Sequence, residues 1–201
     1  MREDLPPGHF VVVDQFIDRT FAREKSFFGD GLVAHVSMAQ PTCSRLAEVA
    51  YDCAQKAGFP IRKGGTYLAM EGPQFSSLAE SKLYRSWGCD VIGMTNMPEA
   101  KLAREAEICY VTVAMVTDFD CWHPDHDHVQ VADIVRVLLE NAEKAKALVA
   151  MIAPRLKASR PAPCPAGCDH ALEHALITSP TVRSAEMVAK LDAVAGRVLK
   201  K

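Results

Sequence analysis

Between Thr42 and Ala57 the apolar positions Leu46, Val49, Ala50, Cys53 and Ala57 recur at helical spacing, and Gly58 followed by Pro60 stops the pattern. That rhythm predicts a helix. Ahead of it, "HFVVVDQFIDRT" passes from a short apolar run into polar residues and reads as a buried strand feeding a loop. Beyond it the period alternates. "TYLAM" predicts a strand, and a helix then opens at Ser76 or Ser77, with Glu80 completing a capping box, and ends at Gly88. "CDVIGM" predicts the next strand, Pro98 and Glu99 suit the first turn of a helix reaching about Ala106, and the run "ICYVTVAMV" has the length and β-branching of a strand buried on both faces. Strand, helix, strand, helix, strand with short connections implies right-handed crossovers and three strands pointing the same way.

A long helix is expected from about Gln130 to Met151, with Val131, Ile134, Val135, Leu138 and Leu139 on one face and Pro154 at its end. "SRPAPCPAGC" is a Pro-rich connection, and "SAEMVAKLDAVAGRVLKK" predicts a closing helix whose lysines suit its C-terminal dipole. No internal repeat is visible. The whole chain, 1–201, is expected to be one α/β domain, with 155–201 as its tail and closing helix.

Composition narrows the class of function. With 201 residues, 49% of them hydrophobic, and a net charge of -2, the chain can bury a sizeable core and offers no basic stripe for nucleic acid. No apolar run approaches the roughly 20 residues of a membrane span, and "MREDLPPGHFVVV" lacks the features of a signal peptide. A cytoplasmic protein with a small-molecule substrate is expected. The seven cysteines, an odd set, then read as buried thiols and not as a disulfide framework.

Ligands of open α/β sheets bind outside the carboxyl ends of parallel strands. Three predicted ends are chemically distinctive, and the parallel reading gathers them on one edge. "EGPQF" could present Phe75 as a face for a planar ring, or bury it in the core. "GMTN" combines the close approach that Gly93 allows with the Thr95 hydroxyl. "TDFD" places Asp118 and Asp120 at i and i+2; on an extended strand both would face one way, and an apolar site could keep one of them neutral as a proton donor. The bland alternative is a polar strand end with solvated carboxylates.

The stretch from "EGPQF" through "TDFDCW", together with "DQFIDRT", resembles the purine-binding half of the trimeric purine nucleoside phosphorylase family, and within it the branch acting on 5'-methylthioadenosine. The similarity covers essentially the whole chain. It implies a nucleoside-phosphorylase-like fold, a central mixed β-sheet flanked by helices in three layers with the N-terminal strands missing. It implies phosphorolysis, with inorganic phosphate as co-substrate, no cofactor and no metal in the site, in a homotrimer serving purine and methionine salvage. By the same resemblance Phe75 stacks on the purine, Ile92, Gly93 and Met94 line base and ribose, Thr95 helps hold phosphate, and Thr117 belongs to the site. Val131, Ile134 and Val135 match positions near the 5'-alkylthio group. Asp118 and Asp120 match the aspartates facing purine N7 and N6; Asp118, where 6-oxopurine enzymes carry asparagine, and Ser76, where they carry glutamate, favour adenine. The family's glycine-rich phosphate loop and Arg-His motif are not found in these residues, so the chain resembles an N-terminally truncated member, expected to have little activity by itself.

Alternatives stay open: broader or 6-oxopurine specificity, a non-catalytic fragment that still binds purine, or a metalloprotein. His123, Asp125, His126, Asp127 and His128 offer ligands, though a polar loop over the pocket is the expected reading. Cys164, Cys168, His170 and His174 are spaced loosely like a zinc site, against a loop leading into a helix or a redox-sensitive thiol pair. Asp14, Asp18, Arg19 and Glu71 are site candidates or structural partners, with Asp18 and Arg19 expected to form an ion pair.

Overall fold

The computed structural model describes residues 1–123, 131–158 and 163–200, and the side chains of 131–134 and 158 lie outside that description. In chain order its elements are β1 (Phe10–Val13), β2 (Gln15–Arg19), α1 (Ser44–Lys56), β3 (Ile61–Lys63), β4 (Thr66–Met70), α2 (Leu78–Ser86), β5 (Val91–Gly93), α3 (Glu99–Glu105), β6 (Thr112–Met115), α4 (Val131–Ala158), α5 (Ala185–Lys190) and α6 (Asp192–Leu199), with short 3-10 turns between some of them. They build two three-stranded sheets, ordered β3-β1-β6 and β2-β4-β5.

Two chain segments run through both sheets. β1 pairs in parallel with β3, and their continuations β2 and β4 pair in parallel in the second sheet. The step falls at Asp14 in one segment and at Gly64 and Gly65 in the other. There Gly65 N–H donates to Asp14 Oδ1 at 3.0 Å, and Gly64 takes a φ of +82°, a conformation that side-chain-bearing residues rarely adopt. Asp14 is thus a structural clasp, and "QFIDR" is a strand where a loop was expected.

Strand alternation explains the layering of the second sheet. Tyr67 and Ala69 of β4 turn to one face, where they pack with Val91, Met97 and Ala100 at the start of α3. Leu68 turns to the other face and packs with Tyr84 of α2 and with Trp122. The result is helix, sheet, helix, the expected three layers. On the first sheet α1 and α4 pack together, with Cys53, Ala54 and Leu148 at their contact above Phe59, Ile61 and Val113.

Helix α2 begins as predicted: Ser77 accepts from Glu80 N–H and the Glu80 carboxylate accepts from Ser77 N–H, a complete capping box. Gly88 follows its end with φ +78°. Four expectations need correction. β6 does not run with β4 and β5; it pairs antiparallel with β1 in the other sheet. It is also not buried on both faces, because it is an edge strand, and Ile108 and Met115 of the same apolar run are exposed. The strand buried along its length is the central β1. Pro154 lies inside α4, which continues to Ala158, and the closing helix is two helices, α5 and α6, separated at Leu191.

The tail, 163–200, packs against the rest through its own apolar cluster, in which Leu172, Met187, Leu191 and Val198 surround Leu32. Arg197 adds a fork, holding Glu107 and Glu173 at 2.6 Å each. Asp18 pairs not with Arg19 but with Lys25 and Lys101, while Arg19 lies over the Trp87 ring, its guanidinium carbon 6.0 Å from the ring centroid. Burial pushes the Asp18 carboxyl up, but hydrogen bonds from Lys101, Thr20 and Lys25 outweigh it and hold the group well below the usual carboxylate range. Glu71 is structural too: its carboxylate accepts from the Phe21 and Ala22 amides and from Arg23, and those bonds lower its pKa, the Phe21 amide contributing most. No helix among the described residues is long and apolar enough to cross a membrane.

Candidate functional site

The three predicted loops do meet, although β6 runs the other way from the expectation. Met94 Sδ lies so close to Gly72 that a Cβ there would come within 2.5 Å of it, which locks "GMTN" against "EGPQF". Cys121 Sγ lies 3.4 Å from the Ser76 carbonyl, and Ser81 Oγ donates to Asp120 Oδ2 at 2.6 Å, tying the Asp118–Trp122 segment to α2. Asn96, held at φ +70°, accepts at Oδ1 from the Tyr110 and Thr112 hydroxyls at 2.9 Å each, which joins the end of β5 to the start of β6.

Against the second and third of these loops lies a cavity of about 510 Å³, and no residue of "EGPQF" lines it. Ile92, Gly93, Met94, Thr95, Thr117, Asp118 and Asp120 all line it, so seven of the predicted site residues share one space. Its size suits a nucleoside-sized ligand. The convergence arises because β5 and β6, in different sheets, both border this cavity.

Gly93 owes its identity to crowding. A Cβ at this position would lie 2.0 Å from Tyr67 Oη. That hydroxyl is 3.2 Å from Thr95 Oγ1 and also receives the Thr95 amide at 3.4 Å, so Tyr67 fixes the direction of the Thr95 hydroxyl across the bare glycine.

The two aspartates are arranged differently from the extended-strand expectation. β6 stops at Met115, and Asp120 opens a 3-10 turn with φ +62°, so no strand alternation relates them. Instead Asp118 braces its neighbours: Oδ2 accepts from the Thr117 hydroxyl at 2.7 Å and Oδ1 from the Asp120 amide at 2.8 Å. Ser81, wholly buried on α2, then sets the Asp120 carboxylate. Short polar bonds of this kind restrict both carboxyl groups before any ligand arrives.

Some predicted residues stand elsewhere. Phe75 is 80% exposed, which takes it out of the core, and it does not line the cavity; it sits one residue from Ser76, where the Cys121 contact joins the two loops. Val135 is 46% exposed and also outside the lining, whereas Leu138, about one turn further along α4, is part of it. The side chains of Val131 and Ile134 lie outside the described residues, as do 124–130, the "PDHDH" run included. His123 packs its ring on Phe119 at 4.8 Å between centroids.

Among the lining residues that sequence reasoning missed are Tyr67 and Asn141. Tyr67 hid as one aromatic in an apolar strand. Asn141 is a lone amide within the apolar rhythm of α4, which was the available signal; it is 1% exposed, donates to the Val116 carbonyl at 3.1 Å, and its Oδ1 has no hydrogen-bond partner among the described residues. A buried side-chain acceptor without a partner among the described residues is uncommon, which marks Asn141 out among the residues of this wall.

Two linked sheets between helices, with a nucleoside-sized cavity at the strand ends and paired aspartates on its wall, define an α/β ligand-binding or transfer protein. The sequence profile of the Phosphorylase superfamily matches residues 1–153, and the chain belongs to that superfamily. It is 66% identical over 199 residues to the S-methyl-5'-thioadenosine phosphorylase of Rhodospirillum rubrum and 63% identical to that of Cereibacter sphaeroides, covering 99% of this chain and 67% and 68% of those proteins. Among solved structures, a methylthioadenosine phosphorylase from an Antarctic soil metagenomic library superposes with a TM-score of 0.88 at 43% identity, covering 96% of this chain and 67% of that one. The methylthioadenosine phosphorylase of Schistosoma mansoni in complex with adenine superposes at 0.82 with 28% identity, covering 88% and 69%.

Proposed function

We propose that this chain forms the purine-binding part of an enzyme that phosphorolyses 5'-methylthioadenosine to adenine and 5-methylthioribose 1-phosphate. The observation that carries the reading is the cavity into which Thr95, Asp118 and Asp120 converge from two strand ends; the similarity to S-methyl-5'-thioadenosine phosphorylases selects the substrate. In the reaction a phosphate oxygen bonds to C1' as the C1'–N9 bond breaks and its electron pair passes into the purine. A proton delivered to N7 relieves that charge, and Asp118 is the group assigned to it. Asp120, oriented by Ser81, accepts from the 6-amino group through its other oxygen. Thr95, aligned by Tyr67, donates to phosphate. Ile92, Gly93 and Met94 wall the base and ribose, Thr117 sets Asp118, and Phe75 offers a stacking face from the neighbouring loop. Leu138 joins Val131, Ile134 and Val135 as the candidates for the alkylthio end.

The reading requires no organic cofactor, phosphate being the co-substrate. The exposed Leu138, Leu139 and Val149 on α4 support a homotrimer, to be tested by light scattering, and seven unpaired cysteines fit a reducing cytoplasm. The functional test is calorimetry of purified protein with adenine and with hypoxanthine, alongside phosphate-dependent adenine release from 5'-methylthioadenosine. Adenine is expected to bind at least tenfold more tightly than hypoxanthine. Equal binding of the two bases, or none of either, overturns the assignment.

A further inference from the structure

Four of the seven cysteines meet from three separate parts of the chain. Cys43, Cys109, Cys164 and Cys168 place their sulfurs within 4.8 Å of one another, with Cys43, Cys164 and Cys168 buried and Cys109 half-buried. Cys164 Sγ lies 3.8 Å from Cys43 Sγ and 3.6 Å from Cys109 Sγ. A disulfide requires about 2.05 Å between sulfurs, whereas Zn–S bonds of about 2.3 Å in a tetrahedron set sulfur–sulfur edges of about 3.8 Å. The observed spacings match the second geometry. We propose that these four cysteines form a structural zinc site of the closed tetrathiolate type, separate from the purine cavity.

The surroundings suit a zinc tetrathiolate, which carries two net negative charges. The Arg45 guanidinium hydrogen-bonds the Cys109 and Cys164 sulfurs, and the backbone amides of Ala166 and Cys168 donate to Cys164. Such donors orient metal-bound thiolates and offset their charge. The backbone prepares each pair. Cys43 N–H bonds the Tyr110 carbonyl at 2.7 Å, which seats Cys43 beside Cys109. Cys164 and Cys168 close a tight turn through Gly167 at φ +68°, with Asp169 Oδ2 accepting from Cys164 N–H at 2.9 Å. Cys43 also occupies the N-cap of α1 without making a capping bond, a position where Ser, Thr, Asp or Asn would stabilise the helix. A thiolate there gains from the helix dipole and reaches the metal.

The site answers a structural need. Cys43 precedes α1, Cys109 precedes β6, and Cys164 and Cys168 begin the described tail, so one ion joins the tail to two loops of the α/β core. His170 and His174, the sequence-level companions of Cys164 and Cys168, are not members of the group; Cys43 and Cys109 take their places.

The test is elemental analysis of tag-free purified protein. One zinc per chain and a negligible iron content are expected, together with seven thiols titratable after chelation in denaturant without reductant. Cys109→Ser and Cys164→Ser should each reduce bound zinc at least tenfold, while Cys121→Ser, outside the group, retains it. Should the serine variants fail to fold, the wild-type protein exchanged into cobalt(II) decides: intense visible bands and a near-ultraviolet thiolate-to-cobalt band are expected of a tetrahedral tetrathiolate. Iron in place of zinc, fewer than seven thiols, or wild-type protein that is metal-free and takes up no cobalt overturns the proposal.

Discussion

Replacing Gly93 with alanine puts a methyl group where the Tyr67 hydroxyl already lies. The new Cβ would stand 2.0 Å from Oη and 2.9 Å from Cζ, and opening the first contact to 3.4 Å requires a displacement of about 1.4 Å. Tyr67 has little room for it, being 5% exposed and packed edge-on against Phe16 at 6.0 Å between ring centroids. Overpacking of this kind costs about 1–3 kcal/mol, and losing the Tyr67–Thr95 hydrogen bond adds about 1 kcal/mol, for a total of about 2–4 kcal/mol. Urea denaturation of the wild type, Gly93→Ala, Tyr67→Phe and the double variant measures it. Tyr67→Phe alone should cost about 1 kcal/mol and, because it removes the nearest obstruction, should reduce the cost of the alanine by about 1–2 kcal/mol. Adenine affinity should fall in the alanine variant and recover in part in the double variant. A Gly93→Ala cost below about 0.5 kcal/mol, or the same cost in both backgrounds within that margin, would refute the account of why this strand end is a glycine.

Asp118→Asn should exchange the proton donor at N7 for a carboxamide able to donate to a 6-oxo group, lowering adenine affinity about tenfold and raising that for hypoxanthine, read by calorimetry with both bases. Ser81→Ala leaves the Asp120 carboxylate without its buried donor and should weaken adenine binding by about 1 kcal/mol, with a loss of stability of similar size in urea. Asp18→Asn should cost about 2 kcal/mol at neutral pH. Because the folded Asp18 pKa lies below the unfolded value of about 3.9, its contribution is fully present above that value and is lost as pH falls through the lower folded pKa. The difference between wild type and variant should therefore shrink in acid; a difference that grows there would contradict the Lys25 and Lys101 pairing.

Local features were legible where neighbouring residues decide them. The capping box of Ser77 and Glu80, the Gly88 stop and the helical rhythm of α1 each depend on a few adjacent positions, and all three appear in the structure. The loops bearing Thr95 and Asp118 were legible as chemistry because glycine, hydroxyl and carboxylate residues interrupt apolar strands there. The reading failed where pairing partners decide. The run from Ile108 to Val116 has the composition of a buried parallel strand, yet only part of it pairs, antiparallel and at an edge, since strand direction depends on which neighbour accepts its hydrogen bonds.

Short stretches of the chain set the alternation of strands and helices, the caps, and the residue types able to handle a purine. Periodicity and capping are short-range, so a single chain carries that information openly. Long-range packing alone set Tyr67 over Gly93, Ser81 against Asp120, the buried Asn141 at the cavity wall, and Cys43 and Cys109 beside Cys164 and Cys168. Each is a contact between residues far apart in sequence, created when two sheets and the tail close on one another, and no local pattern specifies which distant side chain arrives.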